Sequence, residues 1–368
     1  MDAYENGTQP MCMRVQERNQ LHFTPLANAL LFDENTNCLL VKRFLDRSEG
    51  GIVLSFVPNE TPVEDVDVSF TGLDVQHLQI WGPCNGVVCL TRSAFNSTIV
   101  LWNPSMKEFR VLPQPSHKSD HMSNLGFGYD PYTDDYKVVR FAMLGTDLSI
   151  RGLDETIEIY DLRTDSWRKV DAESPAKSGL HCFYDPYASG DGDCFWYAHP
   201  QHGYPRQGDG PVIMAFSMSN EVFEELPVPE VCLLDEHSHS EQKLFVLDDS
   251  LAMVIYPKGG VNPFLIPPEE FSIQKSFDIW IMNEEDVEVS WTKNFTIGPL
   301  QGLDWALGFR LNGEFLVESS NGQMMSYNLN TQERKEYEVH DQVRGHPPPP
   351  NLQVIPYTHS LVSVRRQQ

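Results

Sequence analysis

The 368-residue chain is short of basic residues: 27 Lys and Arg stand against 52 Asp and Glu, for a formal net charge of −25. Nucleic acid and anionic membrane surfaces both require a cationic footprint, so the balance argues against either as a partner. Long apolar runs are missing too. None reaches the ~18 residues that a helical span needs, and the N-terminus, MDAYENGTQPMCMRVQERNQ, lacks the apolar core of a secretory signal. The seven cysteines (Cys12, Cys38, Cys84, Cys89, Cys182, Cys194 and Cys232) contain no C-x-x-C pair. An odd, unpaired set argues for free thiols in a reducing compartment, against a disulfide framework and against a zinc site. The expected location is cytoplasmic.

Catalytic signatures are equally scarce. No G-x-x-x-x-G-K-[ST] and no G-x-G-x-x-G after a strand offers a phosphate cradle. Ser93, Ser97 and Ser105 lack the G-x-S-x-G setting of a nucleophile elbow. Glu269 and Glu270 are sequence neighbours, which extended backbone points to opposite sides and so away from one shared acid pair. His237-Ser-His239 beside Asp235 and Glu236 has no further ligand pair and reads as a polar loop. Cys89 falls in an apolar strand, and with Cys84 it reads as a buried small hydrophobe. The expectation is no catalytic residue, no cofactor and no metal.

What is present is a globular composition, 40% hydrophobic and 11% aromatic, and a repeat. Ile99-Val-Leu-Trp102 leads to Phe109, Ile157-Glu-Ile-Tyr160 to Trp167, and Val212-Ile-Met-Ala-Phe216 to Phe223. Each is an alternating strand ending on an aromatic, a short polar turn, and a second strand opening on an aromatic seven positions later. Gln323-Met-Met-Ser-Tyr327 leads to Arg334 at the same spacing, and Phe277-Asp-Ile-Trp280 leads to Trp291 across a longer turn, Asn283 to Ser290. Trp102, Tyr160, Phe216, Trp280 and Tyr327 stand 58, 56, 64 and 47 residues apart, the range of propeller blades.

Ahead of each hairpin stands another, such as Asn124–Asp130 with Asp135–Arg140; Asn85-Gly86 and Asn312-Gly313 are strong hairpin turns. Each unit is therefore four antiparallel strands, and five units run from about residue 76 to 340. Ala29–Phe32, Cys38–Arg43 and Ile52–Phe56 near the start, with Leu352–Tyr357 and Leu361–Val364 at the end, supply a sixth. Pairing the C-terminal strand into the N-terminal blade closes the ring and removes its free edges. The expected fold is all-β, a six-bladed β-propeller with kelch-like four-stranded blades over residues 25–366. Residues 1–24 are expected to be a disordered segment outside the propeller, and Pro347–Pro350 a linker.

Trp81-Gly-Pro-Cys-Asn-Gly-Val-Val-Cys-Leu90, Leu101-Trp-Asn-Pro with Phe109-Arg and Leu112-Pro113, Leu125-Gly-Phe-Gly-Tyr-Asp130, Asp135-Tyr-Lys-Val-Val-Arg140 and Glu158-Ile-Tyr-Asp-Leu with Asp165-Ser-Trp167 follow one another in order. They resemble the successive elements of the plant F-box-associated domain. Ser290-Trp-Thr-Lys293 followed by Ile297-Gly-Pro-Leu-Gln-Gly302 resembles, more narrowly, the S-locus F-box proteins and their pollen-expressed relatives. The resemblance implies the substrate receptor of a cullin-RING ubiquitin ligase, whose propeller recognises basic pistil S-ribonucleases in self-incompatibility. The family's F-box run, L-P-x…I-L-x-x-L-P, has no counterpart ahead of residue 25; Leu-Pro first occurs at Leu112-Pro113. Binding to the ligase adaptor is therefore expected only where an F-box is supplied. Two alternatives stand beside this: a scaffold or decoy that binds the same partner without ubiquitination, and a kelch-type propeller enzyme. The kelch diglycine, present only at Gly50-Gly51 and Gly259-Gly260, disfavours the latter.

In a four-stranded blade, the turns joining strands one to two and three to four share one face. Here those turns are mostly tight, and insertions gather in the other class: 145–156, 199–210 and 257–275 within blades, and 114–123, 172–179 and 229–242 between them. Long loops on a rigid scaffold are where binding function sits. These carry Asp154, Glu155, Asp209, Asp235 and Glu236, interleaved with Tyr204, Arg206 and Phe264, the residues expected to contact a basic protein partner.

Overall fold

The computed structural model describes residues 38–44, 52–58, 63–66, 68, 78–92, 98–117, 124–144, 154–172, 175, 180–182, 187–188, 192–200, 210–234, 240–257, 274–285, 288–340 and 352–365. They form six antiparallel sheets. Blade 1 contributes β1 (Cys38–Phe44), β2 (Ile52–Val57) and β3 (Glu64–Val66) in sequence. Blade 2 is β4 (Leu78–Cys84), β5 (Val87–Arg92), β6 (Ile99–Asn103) and β7 (Glu108–Val111). Blade 3 is β8 (Asn124–Asp130), β9 (Asp135–Leu144), β10 (Asp154–Asp161) and β11 (Ser166–Val170). Blade 4 opens with a strand in two pieces, β12 (Leu180–Cys182) and β13 (Tyr187–Ala188), then β14 (Asp193–Pro200), β15 (Val212–Ser217) and β16 (Val222–Leu226). Blade 5 is β17 (Ser240–Leu247), β18 (Ser250–Pro257), β19 (Gln274–Glu285) and β20 (Glu288–Gln301). Blade 6 is β21 (Leu303–Phe309), β22 (Phe315–Ser319), β23 (Gln323–Tyr327) and β24 (Arg334–His340), and β25 (Gln353–Tyr357) returns to blade 1.

The seven-residue spacing of the aromatics has a simple cause. A four-residue loop followed by one closing pair places residues i and i+7 opposite each other. Trp102 faces Phe109, Tyr160 faces Trp167, Phe216 faces Phe223 and Tyr327 faces Arg334 across the outer strand pair of their blades. Blade 5 differs: its strands continue through the stretch expected to be a turn, pairing Asn283 with Ser290 and Glu285 with Glu288. The result is a hairpin of 12- and 14-residue strands.

Side chains alternate across a strand, so every blade has two apolar faces and feeds two seams. In β5, Val88 and Leu90 pack toward blade 1, whereas Val87 and Cys89 pack toward blade 3. Six clusters result, one for each junction, including the one joining blade 6 to blade 1 through Leu316, Val339, Leu39 and Val354. The repeat aromatics Trp102, Tyr160, Phe216, Trp280 and Tyr327 all face the preceding blade.

Closure follows the expected scheme, with two corrections. β25 pairs with β1, Ile355 opposite Leu40 and Tyr357 opposite Cys38, as the inner strand of the first blade. Its outer strand is β3, which pairs through Leu54↔Val66 to Phe56↔Glu64 and went unread because it has one apolar residue. The expected strand at Ala29–Phe32 lies outside the described residues. Leu361–Val364 is no strand; it is a tail that crosses to blade 2, where the Asn103 side chain donates to the carbonyls of Ser360 (3.1 Å) and Val362 (2.7 Å), and Val364 is buried in the seam of blades 2 and 3. That tail explains Gly86. Its φ is +71°, and a Cβ there would meet the Cβ of Ser360 at 2.3 Å and the Thr358 carbonyl at 2.6 Å.

The two Asn-Gly turns differ. Asn85 and Gly86 both have positive φ, the type I′ signature, and so form a two-residue hairpin. At Asn312-Gly313 only the glycine does, and its N–H donates to the Arg310 carbonyl at 2.9 Å, a three-residue loop with a left-handed last position.

Candidate protein-recognition surface

Among the described residues, all eight non-glycine residues with positive φ (Asn85, Lys107, Asp134, Asp165, Glu221, Asp248, Asp249 and Gln332) lie in turns joining strands one to two or three to four of a blade. Such turns favour short polar residues that bond their own backbone. This face is also sealed by ion pairs between blades. Arg110 of blade 2 meets Asp165 of blade 3 at 2.8 Å, and Asp165 accepts from the buried Tyr160 hydroxyl at 2.8 Å. Lys137 of blade 3 reaches Asp130 at 2.8 Å and Glu221 of blade 4 at 2.9 Å, and Arg168 pairs with both Asp161 and Glu221. Burial pushes the Asp130 carboxyl up, but donors from Lys137, Thr133 and Ser219 outweigh it and hold the group down at about 2. Asp130, Asp161, Asp165 and Glu221 on this side thus take part in holding blades together.

The opposite face carries the long connections. Residues 145–153, 201–211 and 258–273 join second to third strands in blades 3, 4 and 5. The ring is uneven there: blade 6 makes the same connection with Ser320–Gly322, and blade 5 passes to blade 6 through Gly302 alone. The motif Ile297–Gly302 is thus part of the framework. Gly298, at φ +113°, lies so close to β19 that a Cβ would stand 2.6 Å from the Lys275 carbonyl.

Of the expected contact residues, Tyr204, Arg206, Asp209, Asp235, Glu236 and Phe264 lie outside the described residues. Asp154 and Glu155 are placed by backbone only, and they are strand rather than loop: they open β10, opposite Leu144 and Met143. On the same side the buried Arg140–Glu158 pair, with the partly exposed His117, clamps the exit of blade 2 onto blade 3. Glu158 takes Arg140 at 2.8 Å and His117 at 2.9 Å, and Arg140 also donates to the His117 carbonyl at 2.8 Å.

One feature escaped the sequence reading. Leu112-Pro113-Gln114-Pro115 and Leu226-Pro227-Val228-Pro229 follow the last strands of blades 2 and 4. In each, the leucine is buried, and the next carbonyl accepts an indole N–H from the last strand of the following blade: Trp167 to Pro113 at 2.7 Å, Trp291 to Pro227 at 2.8 Å. The signal was the repeated Leu-Pro-x-Pro.

Beside the second latch lies an open cleft of about 500 Å³. Blade 5 supplies one wall, with Trp280, Val289 and Trp291. The other is the exit from blade 4, where Val228 is followed by a short 3-10 turn at Glu230–Leu233. Leu233 and Leu234 are 54% and 52% exposed at its end. The blade 5 hairpin that forms one wall is longer than the outer strand pair of any other blade. Trp280 and Trp291 face it half-buried.

No group of three or more His, Cys, Asp or Glu side chains among the described residues is arranged to hold a metal, and no helix there is long and apolar enough to cross a membrane. Cys38, Cys84, Cys89 and Cys194 are buried free thiols. Burial pushes Cys38 up to about 11 and Cys84 to about 12, so neither is a ready nucleophile.

The architecture is that of an all-β, six-bladed propeller with four-stranded blades, sealed on one face and elaborated on the other. Residues 54–364 match the F-box associated beta propeller domain, and the chain belongs to that family. Three Arabidopsis thaliana proteins are similar to it. An F-box/kelch-repeat protein is 28% identical over 281 residues, covering 71% of this chain and 66% of its own length. An F-box protein is 26% identical over 285 residues, 67% of this chain and 62% of the relative. The F-box protein CPR1 is 25% identical over 254 residues, 63% of this chain and 57% of the relative. The chain thus spans under two thirds of the length of each.

Proposed function

We propose that this propeller is the recognition domain of a substrate receptor that selects a basic protein for ubiquitination. The observation carrying the reading is the placement of the long connections of blades 3, 4 and 5 on one face of a closed ring in a chain of net charge −25. The likeness of Ser290–Lys293 and Ile297–Gly302 to S-locus F-box proteins narrows the partner class to basic secreted pistil ribonucleases, and the adaptor contact falls to an F-box. The contacting residues are Asp154, Glu155, Tyr204, Arg206, Asp209, Asp235, Glu236 and Phe264.

Association kinetics test this. A purified basic pistil ribonuclease should bind fast at low ionic strength, and the rate should fall steeply with added salt. Asp154→Asn, Glu155→Gln, Asp209→Asn and Glu236→Gln together should slow association and flatten the salt dependence. Asp134→Asn, Asp248→Asn, Asp249→Asn and Glu333→Gln, all exposed in the short turns of the opposite face, change the net charge equally. Equal slowing by the two sets, or no binding at low salt, overturns the reading.

A further inference from the structure

We infer that the cleft between blades 4 and 5 is a docking groove for an apolar side chain on an extended segment of the partner, flanked by Lys or Arg. The inference rests on the protein-recognition reading and adds a second contact to it, where the connection leaving blade 4 meets the outer strands of blade 5.

Three observations carry it. The first is size and lining: about 500 Å³ lies within the range of natural ligand sites, and seven of the nine described lining residues are Pro, Val, Leu or Trp. Aromatic walls of this kind are where interfaces concentrate their binding energy. The second is exposure. Leu233 and Leu234 stand adjacent and more than half exposed at the lip, continuing the apolar surface outward. The third is charge. Among the nine described lining residues Glu230 is the one ionisable group, and none is Lys or Arg.

These observations choose among occupants. A small polar metabolite needs several convergent polar groups, and among the described lining side chains only Glu230 and Ser290 are polar beside the two indoles. A second copy of this chain would bring a net charge of −25 against −25. An apolar anchor between basic residues satisfies the walls and the rim together, and it matches the sign of partner that the whole chain attracts.

The test uses the full chain and a fluorescent peptide array. Each decapeptide carries a central Ala, Val, Leu, Phe or Trp, flanked on both sides by Lys-Arg or by Glu-Asp. Peptides with large apolar anchors and basic flanks should bind, and Ala-anchored or acidic versions should bind at least tenfold more weakly. Leu234→Asp and Glu230→Lys both alter exposed positions, so each should leave the melting temperature unchanged and lower affinity about tenfold. No member of the array binding below a Kd of about 1 mM overturns the proposal. So does binding that neither substitution weakens. A variant lacking residues 203–207 that gains affinity would show that the chain's own loop is the occupant, which also overturns it. Failure of the cleft is separable from failure of the wider reading. A ribonuclease that binds with steep salt dependence but ignores Leu234→Asp removes the cleft alone.

Discussion

The seams on either side of blade 4 are built from the same repeat and closed by different chemistry. Between blades 3 and 4 the outer strand carries Phe223, which has no donor, and the joint is held by charge: Lys137 and Arg168 of blade 3 converge on Glu221 of blade 4. Between blades 4 and 5 the corresponding strand carries Trp291, whose indole latches the Pro227 carbonyl, and a cleft opens beside it. The seam between blades 2 and 3 has both devices, the Trp167 latch and the Arg110–Asp165 pair, with Tyr160 packed 5.5 Å from the Trp167 ring. A propeller therefore needs each seam closed but leaves the means free, and a seam closed by a single indole has room for a groove.

The charged seam should break hardest. Lys137→Met leaves Asp130 and Glu221 facing each other without their shared cation, with the side chain of Asp130 fully buried. Breaking a buried pair from one side costs about 3–5 kcal/mol, to be read by urea denaturation. The same seam sets an acid limit. Asp130 titrates at about 2 when folded, below the ~3.9 of an unfolded aspartate. Its contribution is complete above pH ~4 and is lost as pH falls toward 2. Lys137→Met removes a main cause of that depression, so the acid limb of melting temperature against pH should move upward. An unmoved limb would mean that Asp130 is not held by this lysine.

The latched seams should respond next, and alike. Leu112 and Leu226 are 4% and 2% exposed under their Pro carbonyls, and either Leu→Ala change should cost about 2–5 kcal/mol. A large inequality between the two would show that the Leu-Pro-x-Pro elements are similar in sequence only.

How much of this was legible follows from period and reach. The blades could be read because a four-residue loop forces a seven-residue interval between paired aromatics, and interval is a one-dimensional quantity. Closure could be read because Leu352–Tyr357 is an alternating strand with no neighbour in sequence. β3 was missed because an outer strand of Glu64-Asp65-Val66 needs little apolar surface to pair at an edge. Leu361–Val364 was misread because its apolar spacing serves burial of a tail rather than a strand. For the site, Trp280 and Trp291 looked like ordinary blade aromatics. Their role depends on how far the blade 5 hairpin extends and on a 3-10 turn built about fifty residues earlier, and no local pattern reports either. Asp154 and Glu155 were assigned to a loop because their charge hid the strand that begins with them.

The smallest expected effect separates the two latches. Trp167→Phe and Trp291→Phe each keep an aromatic ring and remove one N–H. The orphaned carbonyls of Pro113 and Pro227 belong to exposed residues and can turn to water, so the loss should sit near the common value of about 1 kcal/mol. The seams then differ in what remains. Blade 3 keeps the Arg110–Asp165 pair and the Tyr160 hydroxyl bond across or beside the joint, whereas Trp291 stands at an open cleft. Trp291→Phe should therefore cost at least as much as Trp167→Phe. Adding Asp165→Asn should bring the blade 2–3 seam to the level of the other or below it. A double-mutant cycle on Trp167 and Asp165, read by urea denaturation, measures that support directly. Strict additivity would show that the indole latch and the ion pair close the same seam independently, and the cleft would then owe nothing to the absence of a second bond.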